Sequence, residues 1–573
     1  VWRVFRRRWS DALYRRCIQF GLAVEALSKE AAMRVLLVMP APFENGRLGL
    51  ENVVWLSEPV ALTAVGAAVS GEHEVRVLDL RLEPEGALAR ELASFLPDVV
   101  GTTSMTTDAY QAKAVLRMAR SIVPDALTVI GGHHPTLSPS EFDEPYVDVI
   151  VQGEGEMTFL EIVSRWETQR AAGDRTFAGV RGTRYLDASG QRRVNAKREQ
   201  TANLDSLPLP DRSLVAKYRG RYFFTGIRPM ASIYTSRGCS FDCNFCAIWE
   251  FYERRTRFLS AKRIVDQMEA CDEPFIFVLD DNFLTSPKRA RELCDEIERR
   301  GVRKFWLTQG RTDFAADHPE LIARLARCGL VMVLSGFESN DDDNLAALRK
   351  RSSWEKNQRA NQIMRDCGIF FTGIFMVRAD WTREQFEQLY EYVRSLTIAV
   401  PLFTILTPLP GTQLHRAYAD KLLTTDCRLF DLQHAVLPTR LPREEFYREF
   451  ARAYDATEPS VREAFSVMVK NRTPFVASVL RGMLWFYART WRYQRVHYDY
   501  RSFLRDEEGL HDGPGARAGL TWQDVTYPTG EEGREPRESG ETGGGKLVHL
   551  RVPRRLWADD VADAQVARAA GGE

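Results

Sequence analysis

The chain is read as an α/β protein. An N-terminal doubly wound parallel sheet is followed by a partial (β/α)6 barrel and a helical C-terminal region. Three observations predict this. Short apolar runs alternate with helical periods over residues 33–165 and again over 231–430, and such alternation builds parallel strands covered by helices. Between the two series lies LPLPDRSL, whose prolines disfavour helix and sheet alike. Residues suited to chemistry cluster directly after the apolar runs, where open sheets and barrels bind ligands.

Length and composition set the frame. A chain of 573 residues is too long for one core. It is 44% hydrophobic and 27% charged, ordinary values for a globular protein. Basic and acidic side chains balance at 78 each, so no global field points to nucleic acid. The nine cysteines are odd in number and mostly scattered. This excludes a secreted disulfide framework and suits a reducing cytosol. No run of eighteen apolar residues is present.

Residues 1–32 form a basic extension, with six arginines against one aspartate in the first sixteen residues. They are read as lying ahead of a true start at Met33, with a basic segment touching anionic lipid as the alternative. The five runs RVLLVMP, HEVRVLDL, DVVGTTS, LTVIGGH and VDVIVQG are strands of a Rossmann-like domain over 33–165. Their ends place Ser104, then Gly131, Gly132 and His133, then Gly153, Glu154 and Gly155 along one sheet edge. Several glycines at that edge admit a large flat ligand close to the backbone, although each alone marks only a tight turn. A linker over 166–230 follows. ASIYTSRG, FIFVLDDN, KFWLTQGR, VMVLSGFES, FFTGIFMV and LFTILTPLPG are then the six strands of the barrel over 231–430.

Residues 431–510 are expected to be helical, basic and aromatic. Lys470–Arg505 holds eight Lys or Arg against one Asp, among Trp485, Phe486, Tyr487, Trp491, Tyr493, Tyr498, Tyr500 and Phe503. The stretch TPFVASVLRGMLWFYARTWRYQR suits a helix lying in a membrane interface or, equally, one packed on the barrel. The tail over 511–573, with eleven glycines, is expected to be disordered.

The most specific signal is TSRGCSFDCNFCAIWEF, which follows the first barrel strand. It sets Cys239, Cys243 and Cys246 in the spacing C-x3-C-x2-C, with Phe245 before the last cysteine. A closed zinc site needs four ligands, and no His or Cys follows within twenty residues. Three thiolates can instead hold three irons of a [4Fe–4S] cluster and leave the fourth open, the alternatives being a zinc site with a remote fourth ligand or thiols that merely pack.

This loop, placed after the first strand of a partial barrel, resembles the radical S-adenosylmethionine (SAM) superfamily. The resemblance implies a [4Fe–4S] cluster on Cys239, Cys243 and Cys246 whose open iron chelates SAM and cleaves it reductively to a 5′-deoxyadenosyl radical. It further implies SAM contacts from Phe245, Asp280, Asp281, Arg311, Glu338 and Ser339, although the acids and Arg311 could as well be solvated groups or a structural ion pair. The preceding domain is similar to the cobalamin-binding domain of class B radical SAM enzymes. That likeness implies cobalamin at Ser104, Gly131, Gly132, His133, Gly153, Glu154 and Gly155. The D-x-H-x-x-G sequence of cobalamin-dependent mutases is missing: its place reads PAPFENGRLG, so no histidine of that motif ligates cobalt.

The expected activity is therefore a radical SAM methyltransferase acting on an unactivated carbon. Cys246–Tyr252 and the aromatic, basic C-terminal region resemble the hopanoid methylases of this family and imply C-3 of a hopanoid lipid as the substrate. Tetrapyrrole ring cyclisation, methylation of an antibiotic or peptide, or a non-enzymatic corrinoid-binding sensor are the alternatives. The expected partners are a lipid or other small-molecule substrate and an electron donor such as flavodoxin or ferredoxin, with no nucleic acid. The expected location is cytoplasmic, with peripheral contact at the inner face of the membrane.

Overall fold

The computed structural model describes residues 32–41, 55–225, 227–398, 400–457, 500–508 and 520–525. The N-terminal sheet is built from β1 (Arg34–Met39), β3 (Glu74–Asp79), β4 (Val99–Thr103), β5 (Leu127–Gly131) and β6 (Val149–Val151), all parallel, in the order β3-β1-β4-β5-β6. A short antiparallel pair, β2 (Trp55–Leu56) with β9 (Phe223–Phe224), lies outside it. Apolar residues fill both faces. Val35, Leu37, Val99 and Val129 lie in one layer and Leu36, Val38, Val100 and Ile130 in the other, which is why these strands read as unbroken apolar runs. The topological switch lies where β1 meets β4, and Ser104 stands just beyond it.

The structure corrects the reading of 166–230 as a plain linker. Residues within it form β7 (Thr183–Leu186) and β8 (Arg192–Val194), which extend the sheet antiparallel beyond β6. Both are short and largely polar, so only pairing with an existing edge makes them strands.

The second sheet has six parallel strands in sequential order: β10 (Met230–Ile233), β13 (Phe275–Val278), β14 (Phe305–Gln309), β15 (Leu330–Glu338), β16 (Phe370–Val377) and β17 (Val400–Ile405). Helices between them carry sequence-encoded ends. In helix Pro287–Arg300, Ser286 accepts from the Arg289 N–H, Pro287 opens the first turn and Gly301 closes the helix at φ +66°. The first barrel strand is shorter than its sequence suggests. ASIYTSRG leaves the sheet after Ile233, and β11 (Ser236–Arg237) pairs antiparallel with β12 (Arg257–Phe258). Asp280 causes the break, because it accepts from the backbone N–H groups of Thr235 and Ser236 at 2.6 and 2.8 Å.

Beyond the barrel, helix Arg443–Thr457 buries Phe446, Tyr447 and Phe450 on the barrel core, and Phe503 of helix Tyr500–Glu507 stacks on Tyr447 at 4.8 Å. Phe503 is thus a core residue. Residues 431–442, expected within a helical region, instead run as bends and coil before that helix starts. Part of the tail expected to be disordered is also ordered. Val525 is buried beside Leu422 and Leu429, and the Trp522 ring lies 4.8 Å from the Arg440 guanidinium. Glycine content hid these two apolar anchors. The basic extension before residue 32, the PAPFENGRLG segment after Ala41, the interfacial helix expected at 473–495 and the rest of the tail lie outside the described residues. Among the described residues no helix is long and apolar enough to cross a membrane.

Candidate functional site

The three-cysteine loop is held rigidly at the carboxyl end of the barrel. Asp280, fully buried, takes hydrogen bonds from Thr235 and Ser236 through both backbone and hydroxyl groups, and pairs with Arg289 at 3.1 Å. Gly238, just before Cys239, has φ +86°, and a Cβ there would lie 2.2 Å from the Arg255 carbonyl oxygen. Only glycine fits. The Asn244 side chain donates to the Ala347 carbonyl at 2.8 Å, and the Trp249 indole donates to the Cys243 carbonyl at 2.8 Å. Asn282 Nδ2 lies 3.8 Å from Cys239 Sγ.

The donor chemistry fits a cluster better than a single ion. Among the described residues, the one group of three donors drawn to single-ion spacing is His134, Glu141 and Cys427, not the three cysteines. A cubane, whose corners are separate irons, needs its thiolates farther apart than one zinc ion does. Burial pushes the Cys246 thiol up to about 12. It also raises Cys243, against the pull of Lys350 and Arg311.

The residues expected around SAM are gathered at the same strand ends, with different freedoms. Asp280 has its carboxylate spent on the loop, so it positions rather than reaches a ligand. Asp281 Oδ2 accepts from Gly238 N at 2.9 Å, and burial raises its carboxyl to about 6. Arg311 does not await a carboxylate either. It pairs with Asp313 at 2.9 Å, donates to the Lys350 carbonyl and stacks on Phe241 at 3.7 Å, inside the cysteine loop. Phe245 is half-buried against the apolar group around Leu348 and Met376. Glu338, buried at the end of β15, adopts φ +59°, a strained conformation for a side chain with a Cβ. Its carboxylate pairs with Lys350 at 2.8 Å. Ser339 follows, and its hydroxyl accepts from the Asp341 N–H.

At the edge of the first sheet, Gly132 has φ +106°, and a Cβ there would lie 2.4 Å from Thr103 Oγ1, so the turn itself demands glycine. Gly131 packs on Val151. Ser104 is buried, and its hydroxyl is taken by Met105 O and Asp108. Gly153, at φ +90°, has open space where a Cβ would stand. Gly155 lies at the N-terminus of helix Glu156–Gln169. The His133 ring stacks on Phe251 at 5.0 Å, while its Nε2 is buried without a partner. Burial lowers its imidazole to about 4, so the ring is neutral. An open backbone face beside an unpartnered buried nitrogen fits a large polar ligand.

Sequence reasoning missed what joins the two edges. Arg237, two residues before Cys239, pairs with Glu154 at 2.9 Å and with Glu156, and Arg257 grips Glu154 at 2.9 Å. Burial pushes the Glu154 carboxyl up, but Arg257 and Arg237 outweigh this and hold it below its ordinary value. Glu154 is therefore a clamp between the domains, and its carboxylate is not free for a ligand. Lys350 was missed too, because lysine at a loop end has no distinguishing pattern. Its flanks Arg349 and Arg351, at φ +54° and +51°, mark a strained turn that no spacing rule announces.

Residues 46–163 match the B12 binding domain family, and residues 233–393 match the radical SAM superfamily. The chain is 32% identical over 425 residues to hopanoid C-3 methylase of Methylococcus capsulatus, covering 73% of this chain and 79% of that protein. It is 28% identical to the anaerobic magnesium-protoporphyrin IX monomethyl ester cyclase of Rubrivivax gelatinosus, covering 72% of this chain and 74% of the other. To the bacteriochlorophyllide d C-12(1)-methyltransferase of Chlorobaculum tepidum it is 26% identical, covering 75% and 88%. Its fold is that of the cobalamin-dependent S-adenosylmethionine radical enzyme OxsB, solved with aqua-cobalamin and S-adenosylmethionine bound, at a TM-score of 0.59 and 15% identity, covering 84% of this chain and 75% of that one. With two family matches in this order and a relative above 30% identity along most of its length, the chain belongs to the cobalamin-binding (class B) radical SAM enzymes.

Proposed function

We propose that this enzyme transfers a methyl group to an unactivated carbon of a large ring-fused substrate. Its cofactors are a [4Fe–4S] cluster, SAM and cobalamin, and its reaction is of the methyltransferase or cyclase type. Bound at the two facing edges, these groups supply a substrate-activating radical and a transferable methyl group. The observation that carries the reading is the Arg237 clamp, which fixes the cysteine loop against the loop after β6. The chain's own task is to hold both edges in register and keep water out of the space between them.

Two substrate classes compete. Hopanoid C-3 has the 32% identical relative behind it. Tetrapyrroles have more of the similar proteins, both cyclases and methyltransferases, and this reading is the better supported. The test feeds methyl-deuterated methionine to hosts that make hopanoids or bacteriochlorin pigments and express the chain. Mass spectra of both fractions are then compared. A deuterated methyl on the pigment supports the tetrapyrrole reading, and one on ring A of the hopanoid supports the other. A new ring without label identifies a cyclase. Failure of the purified protein, with cluster and cobalamin both bound, to cleave SAM under reduction would favour the sensor alternative.

Lys350→Met tests the charge around the loop. The cluster should still assemble, since no cysteine is touched. Removing a cation that acts on Cys243 should lower the cluster's reduction potential by on the order of 50 mV. An unchanged potential in an EPR-monitored titration would count against this role.

A further inference from the structure

We propose that His134, Glu141 and Cys427 form a three-ligand zinc site, its fourth position taken by water, that braces the cobalamin-binding domain to the segment after the barrel. The three come from distant parts of the chain. His134 lies on helix His133–Leu137 after β5, Glu141 on the turn Pro139–Phe142, and Cys427 on the turn Cys427–Leu429 past β17. Their donor atoms nevertheless converge. His134 Nε2 lies 3.0 Å from Glu141 Oε2, Cys427 Sγ lies 3.1 Å from the same oxygen, and Cys427 Sγ lies 3.8 Å from Nε2. With zinc bonds of about 2.0 Å to N and O and about 2.3 Å to S, one face of a tetrahedral site has edges of roughly 3.3–3.5 Å. The observed triangle brackets that range.

The chemistry suits zinc. One imidazole, one thiolate and one carboxylate are its ordinary donors, and the two anions together neutralise a divalent ion in a buried place. His134 and Cys427 are buried. The outer contacts are those of a metal-binding imidazole: Nδ1 lies 3.3 Å from Thr106 Oγ1, so a proton on Nδ1 leaves the Nε2 lone pair facing the other two donors. Phe142 covers the His134 ring edge-on at 5.6 Å. The site is separate from the cysteine loop, and His133 turns the opposite way, onto Phe251. A zinc here would therefore fix the loop that presents His133 without touching what lies on its other side.

The test uses the full chain with its cluster assembled anaerobically, dialysed against a zinc buffer. Zinc is measured by elemental mass spectrometry and its shell by X-ray absorption at the zinc edge, which iron and cobalt do not obscure. The expected result is about one zinc per chain with a single sulfur near 2.3 Å. Cys427→Ser should lose that sulfur and hold zinc at least about tenfold more weakly, since loss of even an outer partner costs that much. Glu141→Gln should weaken binding similarly and serves if the serine variant does not fold. No zinc in the wild type, unchanged zinc in both variants, or a shell with several sulfurs, meaning occupation of the cysteine loop, would each overturn the proposal.

Discussion

Replacing Cys239, Cys243 and Cys246 together by alanine will abolish both the iron–sulfur chromophore and reductive cleavage of SAM, with cleavage falling to the uncatalysed background. The loop's shape does not depend on its thiols. Asp280, Gly238 and Asn244 hold it through backbone and side-chain contacts that alanine leaves in place. The variant should therefore fold, and its loss is chemical. Each single substitution should do nearly the same, because a cubane held at two corners exchanges its ligands readily. Visible absorption after anaerobic reconstitution and chromatographic detection of 5′-deoxyadenosine check this. Retention of either property would remove the basis for the central assignment.

Arg237→Met will produce the largest effect outside the cysteines. The methionine fills much of the same space but leaves Glu156 buried without its cation, while Glu154 keeps Arg257. Stranding one partner of a buried pair costs about 3–5 kcal/mol. Chemical denaturation should show that loss. Glu156→Gln in the same background should recover part of it, because the amide removes the stranded charge. SAM cleavage should fall as well, since Arg237 leads directly into Gly238 and Cys239. The pH dependence has a definite sign. Glu154 is held below its ordinary value in the folded protein, so its contribution is present above the unfolded carboxylate range and disappears as pH falls through the folded value. Arg257 keeps its share of that lowering in the variant, so wild-type stability should drop in acid more steeply by only the share that Arg237 supplies. Equal acid slopes would show that the pair does not couple the domains.

Most of the architecture was legible in the chain. Eleven apolar runs became strands of two parallel sheets, because buried parallel strands need continuous apolar sequence and helices between them need caps such as Ser286 and Gly301. The cysteine loop was legible for a different reason: three soft ligands at fixed spacing have few other uses. The polar residues around it were not. Asp280 and Glu154 were placed at the right strand ends, yet whether a carboxylate meets a ligand or a neighbouring arginine depends on what the fold brings opposite it. For both, the fold supplies arginines and backbone N–H groups.

The same distinction separates what the sequence determined by itself from what the tertiary structure decided. Hydrophobic period, turn residues and cysteine spacing are local properties, so two sheets, their order and the cluster loop follow from neighbours along the chain. The Arg237 clamp, the Lys350–Glu338 pair and the meeting of His134 with Cys427 join residues 81–83, 12 and 293 positions apart. Buried charges demand partners wherever the fold delivers them, and that delivery belongs to packing, not to pattern.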